Sequence, residues 1–208
     1  MINLPKLHLS PCDDDDKDEK DGDDKGAGAG LAVGKKLLDS RRILVCKPVD
    51  RDLMAAITAQ LIVMDEDDPT KPITVIVNCP GGDADSGFGI YDCMKMTRAP
   101  ITTICMGLAA SAAIIIFLGG DKGKRFATPN SRFLIHQPST YAQGQASDLE
   151  ITANQIMKTR DRYNGIIEAE TGKAATQVVE DAHRDFWLDA DEALAYDLCD
   201  KLVTSYDE

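Results

Sequence analysis

A regular alternation of two sequence patterns, which begins near Arg41, constrains the fold more than any other feature of this chain. Short apolar runs rich in β-branched residues are typical of buried strands, and the longer segments between them have helical spacing. In chain order these segments are RILVCK, DRDLMAAITAQLIVMDED, ITVIVNC, DSGFGIYDCMKMT, ITTICM and SAAIIIFL. Repeated βα units imply parallel strands with right-handed crossovers and a sheet covered on both faces. The sequence therefore predicts an α/β fold.

Residues 1–30 differ in composition from the rest of the chain. The stretch PCDDDDKDEKDGDDK, residues 11–25, has nine acidic residues and three lysines, and GAGAG follows it. Such a segment cannot bury enough apolar surface to offset the entropy lost on ordering. We predict a mobile acidic and glycine-rich segment over residues 1–30 and one domain over residues 31–208.

Charge and cysteine usage narrow the possible partners and cofactors. A net charge of −12 argues against nucleic acid, which is bound by clustered Lys and Arg side chains. The six cysteines have neither C-x-x-C nor Cys/His ligand spacing, which predicts free thiols and no metal site. Free thiols indicate a reducing compartment, so we expect a cytoplasmic protein.

One stretch, from Ala99 to Gly120, is uncharged over about the length of a bilayer span. It contains Pro100 and Gly107, and its first half, ITTICM, is β-branched. These features favour a buried strand, a turn at Gly107 and a buried helix from about Ala110 over one continuous helix. The N-terminal MINLPKLHLS has no continuous apolar run typical of a secretory signal. We therefore predict no membrane association.

A long amphipathic helix follows the apolar strand SRFLIHQP. The S-x-x-E pattern at Ser147 predicts its capping box, and an apolar stripe continues over about five turns. The stripe consists of Leu149, Ile156, Tyr163, Ile166 and Ile167. A helix of this length exceeds what one small core needs, which indicates packing against another subunit.

Ser111 is the candidate nucleophile, although a serine among alanines is more often a helix residue bonded to its own backbone. It follows a predicted strand at a helix start, where free N–H groups favour negative charge. The paired glycines of NCPGG end a neighbouring strand, which would bring the Gly82 N–H close to Ser111. His136 ends a further apolar strand, whereas His8 and His183 lie in polar surroundings and are expected at the surface.

The chain resembles the proteolytic subunits of Clp proteases over roughly residues 36–205. The resemblance rests on the ordered segments VNCPGG, MGLAASAA, DKGKRFATPNSRFLIHQP, GQASDLEI and LDADEALAYDLCD. It implies a crotonase-like α/β fold of repeated βα units with a long protruding handle helix. It also implies a serine peptidase that cleaves unfolded polypeptides to short peptides inside two stacked heptameric rings, a homo-oligomer of fourteen subunits.

The same resemblance implies a Ser-His-Asp triad. Ser111 matches the family nucleophile, His136 the general base and Asp185 the orienting carboxylate, while Gly82 and Ala112 would supply backbone N–H groups to an oxyanion hole. It implies an ATP-dependent AAA+ unfoldase as partner, so that ATP is used there and this chain itself needs no cofactor.

Several positions depart from the family pattern, and two other functions stay open. Ala112 stands where methionine is frequent in the family, Asp197 where glycine is usual, and His183 where an acidic residue is frequent. The acidic N-terminal segment takes the place of a more apolar loop in the family. The first alternative is a crotonase-fold enzyme acting on acyl-CoA thioesters. The second is a non-catalytic ring subunit that modifies an active paralogue, and the complete triad argues against both.

Overall fold

A mainly parallel sheet of seven strands organises the molecule in a computed structural model that describes residues 24–205. Strands β1 to β4 and β7 follow that spatial order, while β5 pairs with the end of β3 and β6 pairs antiparallel with β5. The strands are β1 Arg42–Val45, β2 Ile73–Cys79, β3 Ile101–Ala110, β4 Arg125–Ala127, β5 Arg132–Ile135, β6 Phe186–Asp189 and β7 Lys201–Leu202. The predicted α/β class is confirmed.

Seven helices connect and cover these strands within the described residues. Asp50 and Asp83 cap the N-termini of the helices that start at Arg51 and Ala84, because each carboxylate accepts a backbone N–H of the first turn. The helices are α1 Asp24–Asp39, α2 Arg51–Asp67, α3 Ala84–Met96, α4 Ala112–Leu118, α5 Ala146–Thr171, α6 Ala175–Asp181 and α7 Ala190–Ala195.

The predicted boundary near residue 30 falls inside helix α1. Residues 24–30 form the first part of this helix, which continues to Asp39. Residues 1–23, with most of the acidic tract, His8 and Cys12, lie outside the described residues. The division into a segment of residues 1–30 and a domain of residues 31–208 therefore stays a prediction.

The uncharged stretch of the sequence forms the centre of the core. Strand β3 lies in the middle of the parallel sheet, and every residue of α4 is buried. Burial inside the protein explains why this stretch has no charged residue. In the part of the chain that the structure describes, no helix combines the length and apolarity needed to span a membrane.

The turn predicted at Gly107 is wrong, because β3 continues through this residue to Ala110. Gly107 has a φ of 103°, which a glycine adopts easily, and the strand register shifts between Val77 and Cys79. The Asn78 Oδ1 accepts the Leu108 N–H at 3.2 Å beside this irregularity. The last residues of β3 thereby leave β4 and pair with β5.

The capping box predicted at Ser147 is also wrong. Helix α5 begins at Ala146, and Gln145 precedes it without a side-chain cap. The Gln145 carbonyl accepts the N–H groups of Asp148 and Leu149, so the helix starts before Ser147 could act as its cap. The first half of α5 exposes apolar side chains, whereas Tyr163 near its C-terminal half is buried.

Candidate active site

Ser111 occupies the junction between β3 and α4 with an unusual backbone conformation. Its φ of 56° and ψ of −123° belong to a region that residues other than glycine rarely adopt. Its N–H donates to the Leu134 carbonyl of β5 at 2.9 Å, and its hydroxyl makes no capping bond to α4. The structure therefore does not place Ser111 as a helix residue bonded to its own backbone.

His136 and Asp185 face each other where β5 ends and β6 begins. The antiparallel register pairs Ile135 with Phe186, so the next residues outward are His136 and Asp185. The His136 Nδ1 lies 3.3 Å from the Asp185 Oδ1, with the two side chains 31% and 65% exposed. A carboxylate on Nδ1 leaves Nε2 as the ring nitrogen that can accept a proton.

Gln137 fastens the segment that carries Asp185, a role that sequence analysis missed. Its backbone N–H donates to the Ala182 carbonyl at 2.9 Å, and its side-chain Nε2 donates to the His183 carbonyl at 2.9 Å. These two bonds hold the chain just before Asp185 against the residue that follows His136. The only signal in the sequence was its place directly after the histidine.

Strand pairing brings Ser111 and His136 to the same edge of the sheet. Ala110 pairs with Leu134 in parallel register, so the residues after these two strands leave the sheet side by side. No hydrogen bond joins the Ser111 hydroxyl to His136 within residues 24–205. Catalytic hydrogen bonds are often long without substrate and shorten when it binds.

The glycine pair of NCPGG packs directly on the Ser111 turn. A methyl group on Gly81 would lie 2.5 Å from the Ala110 carbonyl oxygen and 2.7 Å from the Ser111 Cβ, so only glycine fits. The Val49 N–H donates to the Gly81 carbonyl at 2.8 Å and holds this loop in place. The predicted meeting of the two strand ends is therefore present.

Two backbone N–H groups next to the Ser111 turn, those of Gly82 and Ala112, have no backbone acceptor in the described residues. Ala112 is the first residue of α4, where an N–H group has no partner inside the helix. The Gly82 N–H meets no backbone acceptor in the described part of the chain. These are the two donors that the family resemblance assigns to an oxyanion hole.

A further contact reaches this turn from helix α5. The buried Tyr163 hydroxyl donates to the Ser111 carbonyl at 3.2 Å. The apolar spacing of α5 predicted Tyr163 as a packing residue, and gave no sign of this polar contact.

An open cleft of about 440 Å³ adjoins the His136–Asp185 pair. Its lining residues are His136, Gln137, His183, Arg184 and Asp185, and Ser111 is not among them. His183 is exposed, as its polar surroundings predicted. Among residues 24–205, no three His, Cys, Asp or Glu side chains are grouped so as to hold a metal ion.

Comparisons with known proteins agree with this geometry. A family model described as Clp protease matches residues 25–206. The chain is 42% identical over 169 residues to the ATP-dependent Clp protease proteolytic subunit 2 of Treponema pallidum, covering 81% of this chain and 85% of the relative. It is 43% identical over 175 residues to the ATP-dependent Clp protease proteolytic subunit of Porphyromonas gingivalis, covering 84% and 79%. Among solved structures, a ClpP1 mutant from Listeria monocytogenes matches with a TM-score of 0.78 and 32% identity, covering 84% of this chain and 98% of that one.

Proposed function

The chain belongs to the Clp protease family, and on this premise we propose that it is a serine endopeptidase subunit whose active site consists of Ser111, His136 and Asp185. The single observation that best supports these roles is the 3.3 Å contact between the His136 Nδ1 and the Asp185 Oδ1 beside the Ser111 turn. A carboxylate in this position favours the imidazole tautomer that accepts a proton at Nε2.

Acyl transfer gives each residue a defined step. The Ser111 Oγ attacks the scissile carbonyl carbon while its proton passes to the His136 Nε2. The developing oxyanion accepts hydrogen bonds from the N–H groups of Gly82 and Ala112. His136 then donates its proton to the leaving amine, which breaks the C–N bond and leaves an ester on Ser111. Water activated by His136 hydrolyses that ester, and the proton returns to Ser111.

The strained turn at Ser111 supports this assignment over the alternatives. A strand–turn–helix junction that presents a serine hydroxyl at a free helix N-terminus suits a nucleophile. An acyl-CoA enzyme of the same fold would need the oxyanion donors but not the His136–Asp185 pair. A non-catalytic ring subunit would need neither.

Assembly, partner and location extend the proposal beyond the single chain. Leu149, Ile151 and Met157 on α5 are 39%, 61% and 47% exposed, which suits burial against other copies in two stacked heptameric rings. Relatives named as subunits of an ATP-dependent protease support an AAA+ unfoldase as partner and unfolded polypeptides as substrates. We place the assembly in the cytoplasm. Sedimentation of the purified protein tests the ring, which a purely monomeric profile would contradict.

A fluorophosphonate probe tests the nucleophile directly. Its phosphorus forms a bond to the Ser111 Oγ as fluoride leaves and the hydroxyl proton passes to His136, so labelling needs an activated serine. We expect labelling of the wild type and of Ser147→Ala, a matched change at an exposed serine, but none of Ser111→Ala. Labelling of Ser111→Ala would reject Ser111 as the nucleophile. An unlabelled wild type would favour a non-catalytic subunit or an acyl-CoA enzyme.

A further inference from the structure

Tyr163 places a polar group in the apolar contact between α5 and the Ser111 turn. Its side chain is 3% exposed, and its hydroxyl donates to the Ser111 carbonyl at 3.2 Å. Burial raises the pKa of Tyr163 well above its ordinary value, and the backbone N–H of His136 offsets part of this effect. The phenol therefore stays protonated and able to donate across the pH range in which proteins function.

The Ser111 carbonyl belongs to the same peptide group as the Ala112 N–H. A trans peptide is planar, so its carbonyl and N–H point in opposite directions, and a bond that fixes one also fixes the other. This carbonyl accepts the Ile114 N–H at 2.9 Å from within the turn and the Tyr163 hydroxyl from a different element. Among the described residues, Tyr163 thus supplies the anchor of this peptide from outside its own turn.

The phenol also lies next to the chain that carries His136. The Ser111 N–H, on the turn that Tyr163 contacts, donates to the Leu134 carbonyl of β5, two residues before His136. One side chain from α5 therefore contacts the nucleophile turn at the point where this turn bonds to β5. The Ser111 backbone adopts a rarely populated φ/ψ conformation, which the surrounding contacts must maintain.

We propose that Tyr163 is a positioning residue whose hydroxyl holds the Ser111–Ala112 peptide so that the Ala112 N–H points at the developing oxyanion. This inference rests on the proposed serine peptidase function. It assigns a role in catalysis to a helix that contributes no member of the triad.

Removal of the hydroxyl alone is the sharpest test. We expect Tyr163→Phe to lower kcat for a small peptide substrate about tenfold with KM within about twofold of wild type, because the lost orientation matters only once the oxyanion forms. Tyr91→Phe is the matched control, since the Tyr91 hydroxyl also fastens α5, through Glu170 at 2.8 Å, but far from Ser111 along the helix. Tyr91→Phe should have the same kcat and KM as the wild type.

A transition-state analogue separates oxyanion binding from general loosening of the site. A peptide aldehyde forms a tetrahedral adduct with Ser111, in which the Oγ–C bond forms as the C=O π bond breaks, the Oγ proton passes to the His136 Nε2 and the former carbonyl oxygen becomes an oxyanion. Tyr163→Phe should weaken aldehyde inhibition by about the factor lost in kcat, but leave binding of the product peptide unchanged. Equal weakening of aldehyde binding and product binding would overturn the proposal.

The outcomes keep this inference separate from the proposed function. Wild-type protein that neither hydrolyses peptide nor reacts with the fluorophosphonate probe would reject the function itself. If the wild type is active, a kcat of Tyr163→Phe equal to that of the wild type would reject only the role of Tyr163. Equal losses of kcat in Tyr163→Phe and Tyr91→Phe would have the same meaning. Tyr163→Met, which refills the site with a flexible apolar side chain, serves as the second hydroxyl-free variant. Failure of both variants to fold would show that the hydroxyl is needed for folding, which also overturns the proposal.

Discussion

The Ser111 backbone conformation, with φ at 56°, costs an L-residue on the order of 1–3 kcal/mol that the surrounding contacts must offset. The Leu134 carbonyl, the Gly81 loop and the Tyr163 hydroxyl all meet this turn. The strain therefore lies at the residue proposed to do the chemistry.

Ser111→Gly and Ser111→Ala should separate this strain from catalysis. Both variants remove the hydroxyl, so we expect peptide hydrolysis to be abolished in each. Glycine adopts positive φ freely but loses more entropy on folding, which leaves a net gain of about 1 kcal/mol in the free energy of unfolding over Ala. Urea unfolding and a peptide assay measure the two effects. Turnover near wild type in either variant, or a Gly variant less stable than the Ala variant, would contradict the prediction.

Gly81→Ala should disrupt the loop that packs on the nucleophile. The added methyl would lie 2.5 Å from the Ala110 carbonyl oxygen, and Gly81 already has a φ of 91°. We expect a loss of about 1–3 kcal/mol in stability and a fall of about 100-fold in kcat, since the oxyanion donors move. Gly123→Ala is the matched control, because Gly123 has a φ of 85° but no atom within 4 Å of the added methyl. If both variants lose activity equally, the packing argument fails.

Sequence alone identifies only those site residues whose local pattern is informative. Ser111 and His136 stand out because each follows an apolar strand, whereas Asp185 depends on the family resemblance, since a single loop acid has no pattern of its own. The polar contacts of Tyr163 and Gln137 could not be predicted, because they join segments that are distant in the chain and meet only through tertiary packing.

At the scale of secondary structure, Arg41 ties the end of α2 to the start of β2. Its guanidinium donates to the carbonyls of Met64 and Asp68, and also to those of Lys71 and Pro72, at 2.8 to 3.2 Å. Two of these carbonyls, those of Met64 and Asp68, lie at the C-terminal end of α2 and also accept the backbone N–H groups of Asp68 and Lys71. One planar side chain therefore satisfies four acceptors.

Arg41→Lys should destabilise this junction. An ammonium group cannot reach four carbonyls in the arrangement of a planar guanidinium, so we expect about 1–3 kcal/mol less stability in urea unfolding. Arg160→Lys serves as control, because the Arg160 guanidinium bonds the neighbouring, exposed Asp161. The two variants should differ by at least about 1 kcal/mol, and equal stabilities would refute the role of Arg41.

The order of helices and strands could be predicted from the sequence, but not every boundary. The helical spacing of apolar residues predicted α2 and α3, because this pattern is contained in the local sequence. The continuation of β3 through Gly107 depends on Asn78 of the neighbouring strand, and the start of α5 depends on the Gln145 backbone. Neither contact has a signature in the local sequence.

For the molecule as a whole, buried thiols link stability to alkaline pH. Burial raises the pKa of Cys79 and Cys199 to about 11 and that of Cys105 to about 12, from an ordinary value of 9.0. Below pH 9.0 these thiols are protonated in both the folded and the unfolded chain, so their ionisation does not change the free energy of unfolding. Above it, the unfolded chain loses protons that the folded chain retains until about pH 11–12, which favours unfolding.

We therefore expect the free energy of unfolding to fall as pH rises from about 9 to about 11, by up to about 1.4 kcal/mol per pH unit for each of these thiols. Urea unfolding under reducing conditions at about pH 8, 9.5 and 10.5 measures this decline. Cys105→Ala should make the decline with pH less steep. The difference in stability between this variant and the wild type at about pH 8, where the thiol is protonated, measures the packing lost with the side chain. Equal slopes for the two proteins would show that Cys105 does not contribute.

The antiparallel pairing of β5 with β6 has a consequence for the protein during its own synthesis. Ser111 and His136 leave the ribosome before Asp185, and domains fold from the N-terminus as the chain emerges. Until β6 docks, the imidazole has no carboxylate to set its tautomer. A partly synthesised chain that has not yet paired β6 with β5 therefore lacks the contact between His136 and Asp185.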